Sequence, residues 1–240
     1  MVVFTSFRCW FVGGLLAFGC PASVWADGMI PETSVVIVNE VDGEGSLKVT
    51  NSDSTVALLH VAVENVPEDT ESLVFVTPQL ARVEAGKQQL VRFVLLNKVP
   101  LKVQRLKRVI LEGIPPQREK GEGAGAKIGL GVRQNLPVLI NPRGLKRNQE
   151  PWTGLQWSVE GGALRVRNDT AYVVRLAQSV HLLPSQAAVN LPRTYVLPGD
   201  DLKVPLPAGA TATAVRLYPA TVYGYAVDAY EAPITPAAVR

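Results

Sequence analysis

From Ser34 onward the chain alternates apolar and polar residues in runs that are short and rich in β-branched residues, and no long stretch repeats apolar residues at helical spacing. This period of two constrains the fold more than any other feature. Successive side chains of a strand point to opposite faces, so such runs bury one face and wet the other. A first set comprises Ser34–Asn39, Ser46–Asn51, Val56–Val63, Leu73–Thr77, Gln89–Leu95, Arg108–Leu111 and Lys127–Ile140. Turn-forming stretches such as Asp42-Gly43-Glu44-Gly45, Pro67-Glu68-Asp69 and Ala85-Gly86 separate them. A second set comprises Leu155–Val159, Ala163–Asn168, Val173–Leu183, Thr194–Leu197, Leu202–Pro205, Ala214–Tyr218 and Thr221–Val227. The stretch between Asn141 and Pro151 is polar and bounded by prolines, as a linker should be. The pattern predicts an all-β chain: a first domain over 27–141, a linker over 142–150 and a second domain over 151–240. Each half is close to the roughly 100 residues of an immunoglobulin-like sandwich.

Residues 1–26 stand apart. They carry one charge, Arg8, then an apolar run from Cys9 to Gly19, and end in Val24-Trp25-Ala26. That order describes a secretory signal peptide cut near Ala26, and the run is shorter than the roughly 20 residues of a spanning helix. Both cysteines, Cys9 and Cys20, fall inside it. The exported chain would then have no disulfide and rely on its cores alone. Taking Arg8 from the 24 basic residues leaves 23 against 21 acidic ones. So balanced a charge points to neither nucleic acid nor a membrane surface as partner.

The chain assembles no catalytic constellation. Its two histidines, His60 and His181, sit in different strands of different domains. No Gly-x-Ser-x-Gly elbow is present. The glycine-rich run Gly121–Gly125 lacks the Lys-Ser/Thr of a phosphate loop and reads as a surface loop. The expectation is a protein that is not an enzyme and needs no cofactor or metal.

One strand is unlike the others. In Lys127-Ile128-Gly129-Leu130-Gly131-Val132-Arg133, three aliphatic residues share one face, while the other face presents two glycines between charges. Glycine weakens a strand, so this face calls for an explanation. One reading is an ordinary half-buried strand. The other is an edge strand whose apolar side chains fill another protein's groove.

Here the chain resembles the periplasmic pilus-assembly chaperones of the chaperone–usher system. The resemblance rests on Ser46-Leu47-Lys48-Val49-Thr50-Asn51, on Thr77-Pro78 with Arg82-Val83-Glu84-Ala85-Gly86 and Leu90-Val91-Arg92-Phe93, and on Ile114-Pro115-Pro116 followed by the alternating strand. In the second half it rests on Leu164-Arg165-Val166-Arg167-Asn168-Asp169-Thr170-Ala171-Tyr172. The resemblance implies two immunoglobulin-like sandwiches in an L shape, acting in the periplasm on pilus subunits and handing them to an outer-membrane usher. It implies that Ile128, Leu130 and Val132 are lent to a subunit lacking its own last strand, and the exposed edge also invites self-association. A structural subunit of the fimbria is the alternative, though residues 27–33 are short for a donor extension.

The family's basic pair, which anchors the subunit's terminal carboxylate, falls at Val36 and Pro137 in an ungapped alignment. Neither is basic, and Gln104 and Asn141 stand where charges are usual. Leu136-Pro137-Val138 looks like the alternative or archaic branch. The anchor would then come from elsewhere, with Arg108 the first candidate and Arg105, Lys107 and Arg133 the alternatives.

Overall fold

Apolar residues at every second position build nine strands in the first half of a computed structural model that describes residues 28–116 and 132–236. They are β1 (Met29–Pro31), β2 (Val36–Asn39), β3 (Glu44–Asn51), β4 (Ala57–Asn65), β5 (Val74–Thr77), β6 (Leu80–Val83), β7 (Gln88–Leu95), β8 (Arg105–Ile114) and β9 (Arg133–Asn141). Hydrogen bonding runs in the order β5-β7-β3-β2-β9-β8-β4-β6, with β1 against β3. β2 is the corner of this sheet. It bridges β3 through Asn39 and Glu44, and it runs parallel to β9 from Val36↔Val138 to Asn39↔Asn141. The strands on either side of the corner fold into two layers around Leu47, Val91 and Phe93 from one and Leu59, Val109 and Ile140 from the other.

The second domain begins with a single 3-10 turn at Pro151–Gly154. Its strands are β10 (Gln156–Glu160), β11 (Ala163–Arg167), β12 (Val174–Leu176), β13 (Ser179–Pro184), β14 (Ala188–Asn190), β15 (Tyr195–Val196), β16 (Asp201–Pro205), β17 (Ala212–Leu217), β18 (Pro219–Ala220) and β19 (Tyr230–Pro236). They form the sheets β14-β13-β17-β19-β10-β11-β16 and β15-β12-β18 over a core that includes Trp157, Leu164, Val174, Leu182 and Leu217. The chain is thus two immunoglobulin-like sandwiches.

Some strand limits differ from the sequence pattern. The run Val173–Leu183 is two strands, because β12 joins the smaller sheet and β13 the larger. Thr221–Val227 is a loop, turned at Gly224 with φ of 83° and held by a hydrogen bond from Tyr225 N–H to Thr221 Oγ1. Of Lys127–Ile140, the strand is seen from Arg133; residues 127–131 lie outside the described residues.

A single buried asparagine closes the same corner in each domain. Asn51 donates from Nδ2 to the carbonyls of Thr55 and Val83, and its Oδ1 accepts the Asp53 N–H. Asn168 donates to the carbonyls of Tyr172 and Val196 and accepts the Thr170 N–H. Around them the backbone repeats as well: Gly86 N–H bonds Asn51 O as Gly199 N–H bonds Asn168 O. Both asparagines are fully buried. Each buried group left without a partner costs about 1–3 kcal/mol. Asn168→Ala is therefore expected to lower the unfolding free energy by at least one such increment, read as a lower urea midpoint. Tryptophan fluorescence will follow it, since Trp152 and Trp157 both lie in that domain. Asn65→Ala, which loses one exposed hydrogen bond to Thr70 in the first domain, should shift little in a circular dichroism titration.

Candidate functional site

β9 is paired on both sides only over its second half. β8 accompanies it from Arg133 to Ile140, whereas β2 joins at Val138. Among the described residues, the segment Arg133–Pro137 therefore has an unpaired edge. A proline at 137 fits this, because at that level β9 has no neighbour on the side away from β8. Val138 and Ile140 face the core and Leu136 packs partly against it. The same parity continued towards the N-terminus reaches Val132, Leu130 and Ile128. Val132 precedes β9 with 48% of its surface exposed and accepts a long hydrogen bond of 3.4 Å from Gly113 N–H. Ile128 and Leu130 lie outside the described residues.

The open edge runs into the cleft between the domains. Arg108 is paired in register with Pro137 across β8 and β9. Its Nε donates to Asn135 Oδ1 at 2.6 Å and its Nη2 to the Asn135 carbonyl at 2.8 Å, so the guanidinium lies over the exposed strand. Burial pushes its pKa down, opposed by the fields of Tyr195 and Glu64. Near enough in the second domain for the two charges to act on each other is Arg175 on β12, whose Nη1 donates to the Val222 carbonyl at 3.0 Å. Burial pushes this guanidinium down too, and the charge of Arg108 adds to the effect. A small hollow beside them is lined by Leu106, Pro137, Leu139, Val173, Arg175 and Val222. Neither arginine forms an ion pair among the described residues. Such a pair can bind a carboxylate through charge-assisted, two-pronged hydrogen bonds.

The other sequence candidates sit elsewhere. Arg105 and Lys107 have the opposite parity on β8 and point at Asp69. Arg105 bonds both of its carboxylate oxygens, and Lys107, fully buried, reaches its carbonyl at 2.7 Å and its carboxylate at 2.9 Å. Burial alone would raise the Asp69 pKa, but hydrogen bonds from Arg105 and Lys107 outweigh it and hold the carboxyl below the usual range. Arg133 pairs with Glu64 on the exposed face at 3.1 Å. Sequence reasoning missed Arg175, which looks like an ordinary polar residue in Val173-Val174-Arg175-Leu176. The cleft itself is assembled by a third apolar cluster drawn from both domains: Val35, Val66, Leu106 and Leu139 with Val173 and Leu197.

Neutral amides lock the domains together at one side of the cleft. Gln104 Nε2 donates to Asn141 Oδ1 at 2.9 Å, Asn141 Nδ2 to Asn39 Oδ1 at 2.9 Å, and Val173 N–H to Gln104 Oε1 at 2.9 Å. An ionic latch closes the other side, with Glu68 accepting from Arg193 and from the Tyr195 hydroxyl. Burial, then that carboxylate, pushes the Tyr195 pKa up to about 12.

Comparison with known proteins agrees with this architecture. Residues 28–146 match the pili and flagellar-assembly chaperone PapD N-terminal domain, and residues 150–230 match the pili assembly chaperone PapD C-terminal domain. The fimbrial chaperone YhcA of Escherichia coli K12 is 40% identical over 206 residues, covering 85% of this chain and 90% of that one. Among solved structures, the Salmonella enterica SafB chaperone in complex with the SafA pilin superposes with a TM-score of 0.70 at 21% identity, over 88% of this chain and 99% of that one. The E. coli chaperone DraB gives 0.69 at 21% identity, over 87% and 99%.

Removing one partner of a buried ion pair costs roughly 3–5 kcal/mol. Asp69→Ala, which strands Lys107, is expected to destabilise the protein by that order in urea titration. The native Asp69 pKa lies below the unfolded value of about 3.9. Its contribution is therefore present above that pH and lost as pH falls through the native value. The acid sensitivity of the wild type should be correspondingly blunted in the variant.

Proposed function

The chain belongs to the family of pilus-assembly chaperones, and we propose that it acts in the periplasm by lending the strand that leads into β9 to a pilus subunit and then passing that subunit to an outer-membrane usher. The observation that carries this reading is the unpaired edge of Arg133–Pro137, ending beside Arg108. An incoming strand can pair with that edge through backbone hydrogen bonds, which set register but demand little of sequence. Ile128, Leu130 and Val132 continue the core-facing parity of β9, so they are the side chains available to fill a subunit's open core. Each aliphatic side chain buried this way contributes about 1.5–3 kcal/mol.

Arg108 is the candidate anchor for the subunit's terminal carboxylate. β9 runs towards the cleft, so a strand whose C-terminus lies at Arg108 must run parallel to β9. With Nε and one Nη2 hydrogen on Asn135, the guanidinium keeps Nη1 and its second Nη2 hydrogen for a ligand. A fixed charge at one end of the edge would set the register that the backbone alone leaves loose.

Hand-over to an usher needs a second surface, away from the donor strand. At the end of β8 opposite the cleft, Leu58 and Ile114 are paired in register and exposed beside Pro115 and Pro116, with exposed Leu80 a diagonal step away on β6. That patch is the surface this reading assigns to the usher. No catalytic step and no cofactor form part of it.

Co-expression with a candidate pilin tests the reading. Replacing Ile128 and Leu130 with Glu should abolish recovery of the subunit in a stable complex while leaving the free chaperone folded. Undiminished recovery would sink the donor-strand role. Leu58→Asp should instead leave the complex intact and block its delivery to the usher, read as loss of surface fibres.

A further inference from the structure

We infer that Arg175 is the second half of the anchor, so that the site for the subunit's terminal carboxylate is shared by the two domains. The inference rests on the role assigned to Arg108 above and adds a residue from the other domain.

Three observations carry it. First, Arg175 lines the same hollow as Pro137, where the open edge of β9 ends, and Pro137 is paired in register with Arg108. An added strand parallel to β9 would therefore present its last carboxylate between the two. Second, Arg175 is held in place by neutral groups. Nη1 donates to the Val222 carbonyl, and the guanidinium packs on Gly224, where an added Cβ would come within 3.3 Å of Nη2. That glycine keeps the approach open. Third, the other arginines around the cleft already have acids: Arg105 has Asp69 and Glu71, and Arg193 has Glu68 and Asp200. Arg108 and Arg175 alone among these have neutral partners. Two partly desolvated cations side by side repel, and a single carboxylate between them reverses the sign of that interaction.

The test measures recovery of the co-expressed subunit with its native C-terminus and with two residues added, which moves the carboxylate out of the cleft. A charge-assisted hydrogen bond of about 1.5–3 kcal/mol corresponds to roughly a 10- to 150-fold change in binding. For the wild type the extension should cost at least about tenfold. Arg175→Gln and Arg108→Gln should each cost a similar factor on the native subunit, become indifferent to the extension, and fail to add when combined. Should Arg108→Gln lose recovery while Arg175→Gln keeps it, Arg175 has no part in the anchor and the role of Arg108 stands. If both keep it while the Glu variants at 128 and 130 lose it, the anchor lies elsewhere and the shared site is overturned. Thermal melting of the free variants controls for folding. Arg175→Lys, which keeps the charge without the fork, should then recover part of the loss, and no rescue by it would count against the assignment. A free anion is the remaining source: if phosphate raises the melting temperature of wild type but not of Arg175→Gln, and the extension has no effect, the hollow binds small anions and not a chain end.

Discussion

β2 reaches β9 only at Val138, and most of what distinguishes the first domain follows from that limit. A sandwich normally hides the edges of its strands or blunts them with charge and proline. Here, among the described residues, the strand closing the domain is covered for half its length and open for the rest. The open half carries Pro137 at its inner end and Arg108 laid over its backbone. The same strand thus joins the two sides of its own sheet from Val138 onward and has β8 alone as neighbour before it among the described residues.

The seam between the domains works by a different chemistry on each side. Gln104, backed by Asn141 and Asn39, accepts the Val173 N–H across the seam, a neutral contact that screening by salt barely touches. Glu68, Arg193 and Tyr195 form an ionic contact that salt weakens. Between them lies the apolar cluster around Leu106 and Leu139. A side chain projecting from this seam is held to a geometry that a loop could not guarantee, which is what a site for a single carboxylate requires.

Period-two alternation made the fold and the order of strands legible, because parity alone decides which residues enter a sandwich core. It also held the means to sort the basic run Arg105-Leu106-Lys107-Arg108: alternate residues of a strand face opposite ways, so Arg105 and Lys107 could not share the environment of Arg108. What parity does not supply is the partner across a gap. Nothing near Asp69 in the chain announces that it meets Lys107, and Arg175 becomes notable only once folding brings it near Arg108. The strand limits misread in the second domain have a similar cause. Val173–Leu183 alternates without a break, and only the exchange of sheets divides it.

Asn51 and Asn168 give the molecule a second kind of legibility. Each bonds the residues two and four places on and the carbonyl of a distant valine, and each is met by a glycine N–H three residues beyond that valine. Two halves of unlike sequence thus carry one corner written twice, so the same small polar device pins a turn in a sheet with an open edge strand and in a sheet without that use.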